Sequence, residues 1–287
     1  MRTSEKKVNY DVWLHWNVTT RCNMNCQYCF EFNSKNKQSG KIPEINIPAL
    51  IKTLDKTNKI FRINFVGGEP FLVPNIIEAC VEITKKNYIS LNTNLTSTKF
   101  KEFSEKINPK KVSYIVSSLH IKELEKNSLM DRYIDNFLSC KKKGFNIFAV
   151  VIAHPSLLDE AKKYEEFFRR KNINIMFSAF IGKYNDKKYP EAYTTKEIKI
   201  FKIKMKNNKK SNQKGTICNA GYNSGIVNPN GDVSRCSNVN KNMGNIYKEI
   251  KFDNHLIRCP SELCICPLKD YDKGLFKRAL KENNIRD

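Results

Sequence analysis

Three scarcities narrow the field before any motif is read. No apolar run in the 287 residues is longer than Ile147–Ala153, far below the roughly 20 residues a membrane-crossing helix needs. The opening stretch, Met1-Arg-Thr-Ser-Glu-Lys-Lys-Val, has no apolar core, so it does not read as a secretory signal. Arginine is scarce: ten are present, although Lys and Arg together number 51 against 29 acidic residues. The expectation is a cytoplasmic chain with no membrane partner. Disorder is excluded by what is present, since hydrophobic residues make up 40% and aromatics 11%. A chain of this length forms one large domain, or one with a small appendage, and buries roughly three-quarters of its unfolded surface.

A net charge of +22 would draw nucleic acid, anionic lipid, phosphorylated metabolites or acidic peptides. The residues behind it argue for something blander. The excess is lysine, spread along the chain and accompanied by abundant Asn and Ile, the mixture that A- and T-rich codons produce. Bidentate recognition of phosphate or bases favours arginine. The charge is therefore read as solvated lysine; nucleic acid is not favoured, and an anionic substrate is the residual expectation. The densest run, Lys202 to Lys214, reads as a linker or an exposed helix end.

From residue 12 to about 180, short runs rich in Val, Ile and Phe alternate with helical spacing. Strands are predicted at Trp13–Thr19, Arg62–Val66, Ile89–Asn92, Val112–Ser117, Ile147–Ile152 and Ile175–Phe180. Ile76, Ile77, Cys80, Val81 and Thr84 share one helix face. Tyr133, Phe137 and Cys140 share another, ahead of a C-cap at Gly144. Leu158, Ala161, Tyr164, Glu165 and Phe168 make a third. Six βα units imply an α/β fold with a parallel sheet: a partial, open (βα)6 TIM-like barrel, since closure takes eight. Active-site groups are expected at the C-terminal ends of the strands.

After the lysine-rich run the texture changes. Ile226-Val227, a turn over 228–232 and Val233 read as a β-hairpin. Five of the ten cysteines lie between 218 and 266. The expected division is a barrel over 1–205 and a small C-terminal cysteine-rich β-hairpin module over 206–287, ending in a polar helix-like tail from Lys273.

Ten cysteines in a chain without an export signal point to metal ligands or free core thiols rather than disulfides. Just past the first strand, Cys22, Cys26 and Cys29 follow the spacing C-x3-C-x2-C. Three thiolates on one loop can converge on a single centre. A [4Fe–4S] cube is normally held by four cysteines, so three leave one iron open. Zinc is the alternative, but zinc sites usually pair C-x2-C units to reach four ligands, and no fourth Cys or His is near.

C-x3-C-x-aromatic-C after a first strand resembles the signature of the radical S-adenosylmethionine (SAM) superfamily, and the resemblance extends over about residues 12–270. It implies that Cys22, Cys26 and Cys29 hold a [4Fe–4S] cluster whose open iron chelates SAM. It implies reductive cleavage of SAM to methionine and a 5′-deoxyadenosyl radical, with Tyr28 against the adenine. The cofactor carries the hard chemistry, and the protein positions and protects it. Gly67-Gly68-Glu69-Pro70 at the second strand end matches the family's GGEP segment, whose backbone and Glu69 are implied to bind the SAM amino group. Two glycines there allow close backbone approach to a ligand.

At the third strand end, Asn92-Thr93-Asn94-Leu95 departs from the family's frequent Thr-Asn-Gly, with Leu95 replacing Gly. Asn92 and Asn94 are candidate ribose or substrate contacts, or plain turn residues. The family places a ribose-binding Ser at the fourth strand end and a carboxylate-binding Arg some 12–15 residues on. Ser118 and Arg132 fit, the latter being the one Arg between Arg62 and Arg169. His120 is read as a candidate substrate contact and His154 as structural. Cys80 and Cys140, on apolar helix faces, are read as core thiols.

Cys218, twelve residues, Gly231, four residues and Cys236 resemble the opening of the SPASM and shorter twitch modules attached to radical SAM barrels. The resemblance implies one auxiliary [4Fe–4S] cluster, with further ligands from Cys259, Cys264 and Cys266. The C-x4-C-x-C spacing of that last segment departs from a full SPASM run. A structural zinc site on four of the five thiols is the alternative. The whole reading is a radical SAM oxidoreductase or maturase that abstracts hydrogen from a small, sugar-like molecule or a peptide. A flavodoxin- or ferredoxin-like electron donor is expected as partner. A tRNA-modifying enzyme and a zinc-binding scaffold stand as rivals. No leader-binding domain is expected before residue 12.

Overall fold

The computed structural model describes residues 9–29, 41–203, 213–239, 241–262, 264 and 272–285. In chain order these form β1 (Val12–Thr19), α1 (Ile47–Lys56), β2 (Phe61–Gly67), α2 (Ile76–Lys86), β3 (Tyr88–Thr93), α3 (Lys99–Lys106), β4 (Val112–Ser118), α4 (Ile121–Lys126), α5 (Met130–Lys142), β5 (Ile147–Ala153), α6 (Ala161–Arg170) and β6 (Ile175–Ala179). All six strands stand where the apolar runs predict them, with ends moved by at most one residue, and they pair in parallel in chain order. This is the α/β partial-barrel arrangement that alternating strands and helices imply.

Side chains alternate between the two faces of the sheet, as the pleat requires. Val12, Leu14, Trp16 and Val18 of β1 enter the main core, which the helices cover. Trp13 points the other way, into a small cluster with Tyr10, Ala220 and Leu275. Most of the predicted helix faces bury: Ile76, Ile77, Cys80 and Thr84 on α2, Tyr133, Phe137 and Cys140 on α5, and Ala161, Tyr164 and Phe168 on α6, while Val81 and Glu165 are half-buried and Leu158 precedes α6. Gly144 follows α5 with φ +86, the left-handed backbone that a helix C-terminus favours glycine for. Among the described residues, no helix is long and apolar enough to cross a membrane.

Beyond β6 come a hairpin of β7 (Gly182–Tyr184) and β8 (Lys187–Tyr189), then α7 (Thr195–Phe201) with a capping box between Thr194 and Glu197. The lysine-rich run begins at Lys202; residues 204–212 of it, and with them the 205/206 boundary, lie outside the described residues. Next are β9 (Ile217–Cys218), β10 (Ser224–Val227), β11 (Asp232–Ser234), β12 (Asn242–Asn245), β13 (Glu249–Ile250) and β14 (Ile257–Arg258).

The predicted hairpin is present as β10 and β11, registered Val227 to Val233. It does not stand apart from the barrel. β10 pairs in parallel with β1, placing Ser224 beside Trp13 and Val227 beside Trp16, so β10–β13 continue the barrel sheet to ten strands. Val227, Val233, Met243 and Ile250 enter the same core as the barrel residues. The C-terminal helix, Lys273–Glu282, is capped by Asp272, whose Oδ1 accepts from Leu275 N at 2.8 Å. It closes the end of the barrel where the strands begin. There the buried Arg62 guanidinium lies over Tyr10, Trp13 and Tyr114 and pairs with Asp272 at 3.6 Å.

Candidate functional site

The opposite end, where β1–β4 finish, gathers the first cysteine loop. Gly68 N donates to Thr19 O at 2.7 Å and Glu69 N to Arg21 O at 2.8 Å, so the β2 exit grips the chain leaving β1. A Cβ at Gly67 would collide with Thr19 O, and one at Gly68 with Arg21 O. The close approach these glycines permit is thus made by the chain itself. It fixes where the loop begins.

Within the loop, Cys22 is exposed, Cys26 buried and Cys29 half-buried, and Cys29 N donates to Cys26 O at 3.0 Å. Two donors address the Cys22 sulfur: Met24 N at 3.4 Å and Asn94 Nδ2 at 3.8 Å. Asn94 Nδ2 also donates to Asn23 Oδ1 at 2.8 Å, and Asn23 Nδ2 to Thr96 Oγ1 at 2.9 Å. On the other side, Asn25 N donates to Glu123 Oε2 of α4 at 3.0 Å. The loop is therefore clamped between the β3 exit and α4. Asn23, Thr96 and Glu123 were not singled out from sequence. Asn23 was open to discovery inside the C-x3-C motif; Glu123 carried no local signal.

Glu69 lies at the centre of the strand ends and is 1% exposed. Its Oε1 accepts from Phe71 N at 3.0 Å and Thr93 Oγ1 at 2.8 Å, and its Oε2 from Asn94 N at 2.7 Å. The carboxyl so placed ties β2 to β3 and, through Asn94, to Cys22. Burial pushes its pKa up to about 7, against the three donors that pull it down. Asn92 is half-buried near the end of β3, whereas Asn94, just past it, is buried.

Leu95 explains its own departure from glycine. It adopts φ +59 and is wholly buried, so the left-handed turn is kept and an apolar side chain gained. Leu95→Gly should relieve about 1–2 kcal/mol of backbone strain but forfeit a larger burial and cavity cost. A net loss of about 2 kcal/mol is expected, read from the urea unfolding midpoint.

Tyr28, the aromatic of the motif, faces the β4 and β5 exits. Its hydroxyl is 3.1 Å from His120 Nδ1, and its ring lies 5.8 Å from that of His120 and 5.6 Å from that of His154. His154 also packs on Phe180 at 4.8 Å and Tyr184 at 4.5 Å. Burial pushes the His120 pKa down to about 4 and lowers that of His154, so both rings are neutral. His154 Nδ1 bonds Ser156 Oγ at 2.8 Å, a local cap. Ser118 is half-buried at the β4 exit. Arg132, exposed on α5, reaches back to Thr96 O at 3.4 Å, against the same segment that carries Asn94. Cys80 and Cys140 are buried among core residues.

The donor set suits an iron–sulfur cluster. Three thiols share one loop with no disulfide, and N–H groups aimed at Cys22 Sγ favour its charged form. Loss of hydration around the sulfurs pushes Cys22 up to about 11, although that residue as a whole is exposed, and Cys26 up to about 12, helped by the charges of Glu69 at the first and Glu123 at the second. Among the described residues, no three Cys, His, Asp or Glu side chains already stand at the spacing of a single-ion site.

The C-terminal thiols also draw together. β9 pairs antiparallel with β14, setting Cys218 opposite Ile257, two residues before Cys259, whose N donates to Thr216 O at 2.8 Å. Cys218 and Cys236 both pack against the Tyr10–Trp13 cluster. Burial raises the Cys218 pKa; Cys259 and Cys236 add to the rise, and Arg235 opposes it. Cys264 is half-buried, and Cys266 lies outside the described residues.

Comparison with known proteins agrees with this geometry. Residues 16–170, more than half of the chain, match the family model of the radical SAM superfamily. An uncharacterised protein of Methanocaldococcus jannaschii is 36% identical over 176 residues, 55% of this chain and 59% of that protein. The chain thus aligns with less than two-thirds of that relative. A GTP 3′,8-cyclase of Nautilia profundicola is 23% identical, over 98% of this chain and 87% of its own. Among solved structures, anSMEcpe with bound AdoMet shares the fold at TM-score 0.57 and 17% identity, over 94% of this chain and 83% of that one. Streptococcus suis SuiB bound to its precursor peptide SuiA does so at 0.53 and 16%, over 93% and 66%. A parallel partial barrel, a C-x3-C-x2-C loop at the C-terminal ends of its strands and a family match over the same residues place this chain among the enzymes of the radical SAM superfamily.

Proposed function

We propose that Cys22, Cys26 and Cys29 hold a [4Fe–4S] cluster that binds and cleaves SAM, and that the enzyme abstracts hydrogen from a small-molecule or peptide substrate inside the barrel. The carrying observation is the clamped loop, with two N–H donors on the Cys22 sulfur at the active end of the barrel. When bound, the cluster would supply an open iron for the amino and carboxylate groups of SAM and the electron that releases a 5′-deoxyadenosyl radical. Tyr28, Ser118 and Arg132 contact SAM in this reading. Glu69 and the backbone of Gly67 and Gly68 bind the SAM amino group, and Asn94 contacts the ribose or substrate while its amide also addresses the Cys22 sulfur.

The C-terminal module, 206–287, carries one auxiliary [4Fe–4S] cluster on Cys218, Cys236 and thiols of the Cys259, Cys264, Cys266 segment, while 1–205 is the SAM-cleaving barrel. The proximity of Cys218, Cys236 and Cys259 supports this. An external flavodoxin- or ferredoxin-like protein supplies electrons. Anaerobic reconstitution tests the reading: roughly eight irons per chain and 5′-deoxyadenosine on reduction with SAM are expected. Zinc without iron, or clusters without 5′-deoxyadenosine, would overturn it.

A further inference from the structure

A polar row crosses the concave face of the barrel sheet at mid-height. The strand register sets His15 of β1 beside Asn64 of β2, and Asn64 beside Ser90 of β3. Ser90 Oγ, wholly buried, donates to Asn64 Oδ1 at 2.7 Å. With the amide in this orientation, Asn64 Nδ2 is the group turned toward His15 Nδ1, 3.2 Å away. A ring nitrogen that accepts carries no proton, so the neutral imidazole bears it on Nε2. Burial keeps the ring neutral, with its pKa pushed down to about 4. Trp13 steadies the ring edge-on at a centroid distance of 6.0 Å. His15 is half-buried, so the row ends in a fixed N–H that solvent can reach.

The rest of the concave face says what such a donor would meet. The alternation that carries His15 also places Asn17 and Asn92 on the β1–β3 side. Across β4–β6 the register continues through Val116 to Phe148, and through Val150 to Met176. The β1–β3 side is thus mostly polar and uncharged, and the β4–β6 side carries these apolar side chains together with Ser118 and Ser178. Among these concave positions of β1–β6 the charged residue is Arg62, which stands at the closed end against Asp272. Among the described concave positions of β1–β6 no cation stands beside His15 other than Arg62 at the closed end, so a phosphate or carboxylate brought there would give up hydration without a nearby counter-charge, which is costly.

We propose that His15 is a substrate-binding residue whose Nε2–H donates to an uncharged oxygen of the substrate, a hydroxyl or an amide carbonyl, laid against the β1–β3 wall. Asn64 and Ser90 are its positioning residues. The proposal rests on the function above only in placing substrate within the barrel. The lysine excess then belongs to the outer surface, and any anionic group on the substrate stays outside the mid-barrel.

The test is nitrogen NMR of the reconstituted, oxidised full chain labelled with 15N-histidine, in which four histidines give a countable spectrum. His15→Gln assigns the signal. At neutral pH, His15 is expected as the uncharged Nε2–H form, and Ser90→Ala, which removes one oxygen from the row, should turn it into a mixture of tautomers. myo-Inositol serves as polyol probe, N-acetylglycinamide as peptide probe and inorganic phosphate as anion. At least one neutral probe should move the His15 Nε2 signal saturably and several-fold more than phosphate does; which one tells polyol from peptide. An Nδ1–H or charged ring, silence toward both neutral probes, or a larger response to phosphate overturns the proposal. 5′-Deoxyadenosine formation is scored separately, so a chain that cleaves SAM but fails here refutes the His15 assignment alone.

Discussion

Cys26→Ala is expected to yield a folded chain that forms no 5′-deoxyadenosine from SAM and binds roughly four fewer irons than the parent. Cys26 is the one buried thiol of the three, and its carbonyl accepts from Cys29 N at 3.0 Å, so it anchors the turn that presents the other two. No further thiol lies on the loop to take its place. The small volume lost leaves the strand ends intact, because Glu69, Asn94 and Glu123 hold the loop by other atoms. Cluster uptake by the parent should also weaken as pH falls. Thiols held at about 11 and about 12 by burial must each release a proton to bind iron. Cys236→Ala, by contrast, should retain SAM cleavage and lose only the irons of the second site. Product formation by the Cys26 variant, measured by chromatography of the reduced reaction, would refute the ligand assignment.

The barrel was legible because short strands rich in Val, Ile and Phe alternate with helical spacing; β5 reads as a near-continuous apolar run, whereas β1–β3 interleave apolar with polar residues. Ile226-Val227 and Val233 equally marked a hairpin, but not its parallel pairing with β1, some 200 residues earlier in the chain. Local pattern carries no information on such a partner. The thiols of the first loop were legible because spacing alone defines their motif. Cys218 and Cys259 are brought near each other by the pairing of β9 with β14, strands of two residues each, too short for any periodicity to show. Glu69 illustrates a different limit. Its place at a strand end was readable, whereas the inward turn of its carboxyl depends on Thr93 and Asn94 arriving from the next strand. His15 carried no motif, and its tautomer follows from a row assembled across three strands.

Glu69→Gln should cost about 1–3 kcal/mol of stability, because a carboxyl oxygen accepts from Asn94 N even when it carries a proton, whereas the amide NH2 in its place leaves that buried N–H without an acceptor. The carboxyl serves three donors with two oxygens. An amide can serve at most the two on Oε1, and its NH2 would then face Asn94 N. The pH dependence separates this from simple misfit. Burial raises the folded-state pKa from 4.5 to about 7, so between those values the folded chain holds a proton that the unfolded chain has released. Stability from this group is fully present below about pH 4.5 and is lost as pH rises through about 7, on the order of 3 kcal/mol for a shift of that size. Ordinary carboxylates behave in the opposite way. Urea midpoints of parent and variant, compared from pH 4.5 to 8, should therefore converge as pH rises. A gap that instead widened with pH would mean that the three donors outweigh burial and that Glu69 is ionised in the folded chain. Because Asn94 links this carboxyl to the Cys22 sulfur, the variant should also hold its iron less firmly, and the loss should be largest where the strand ends have loosened most.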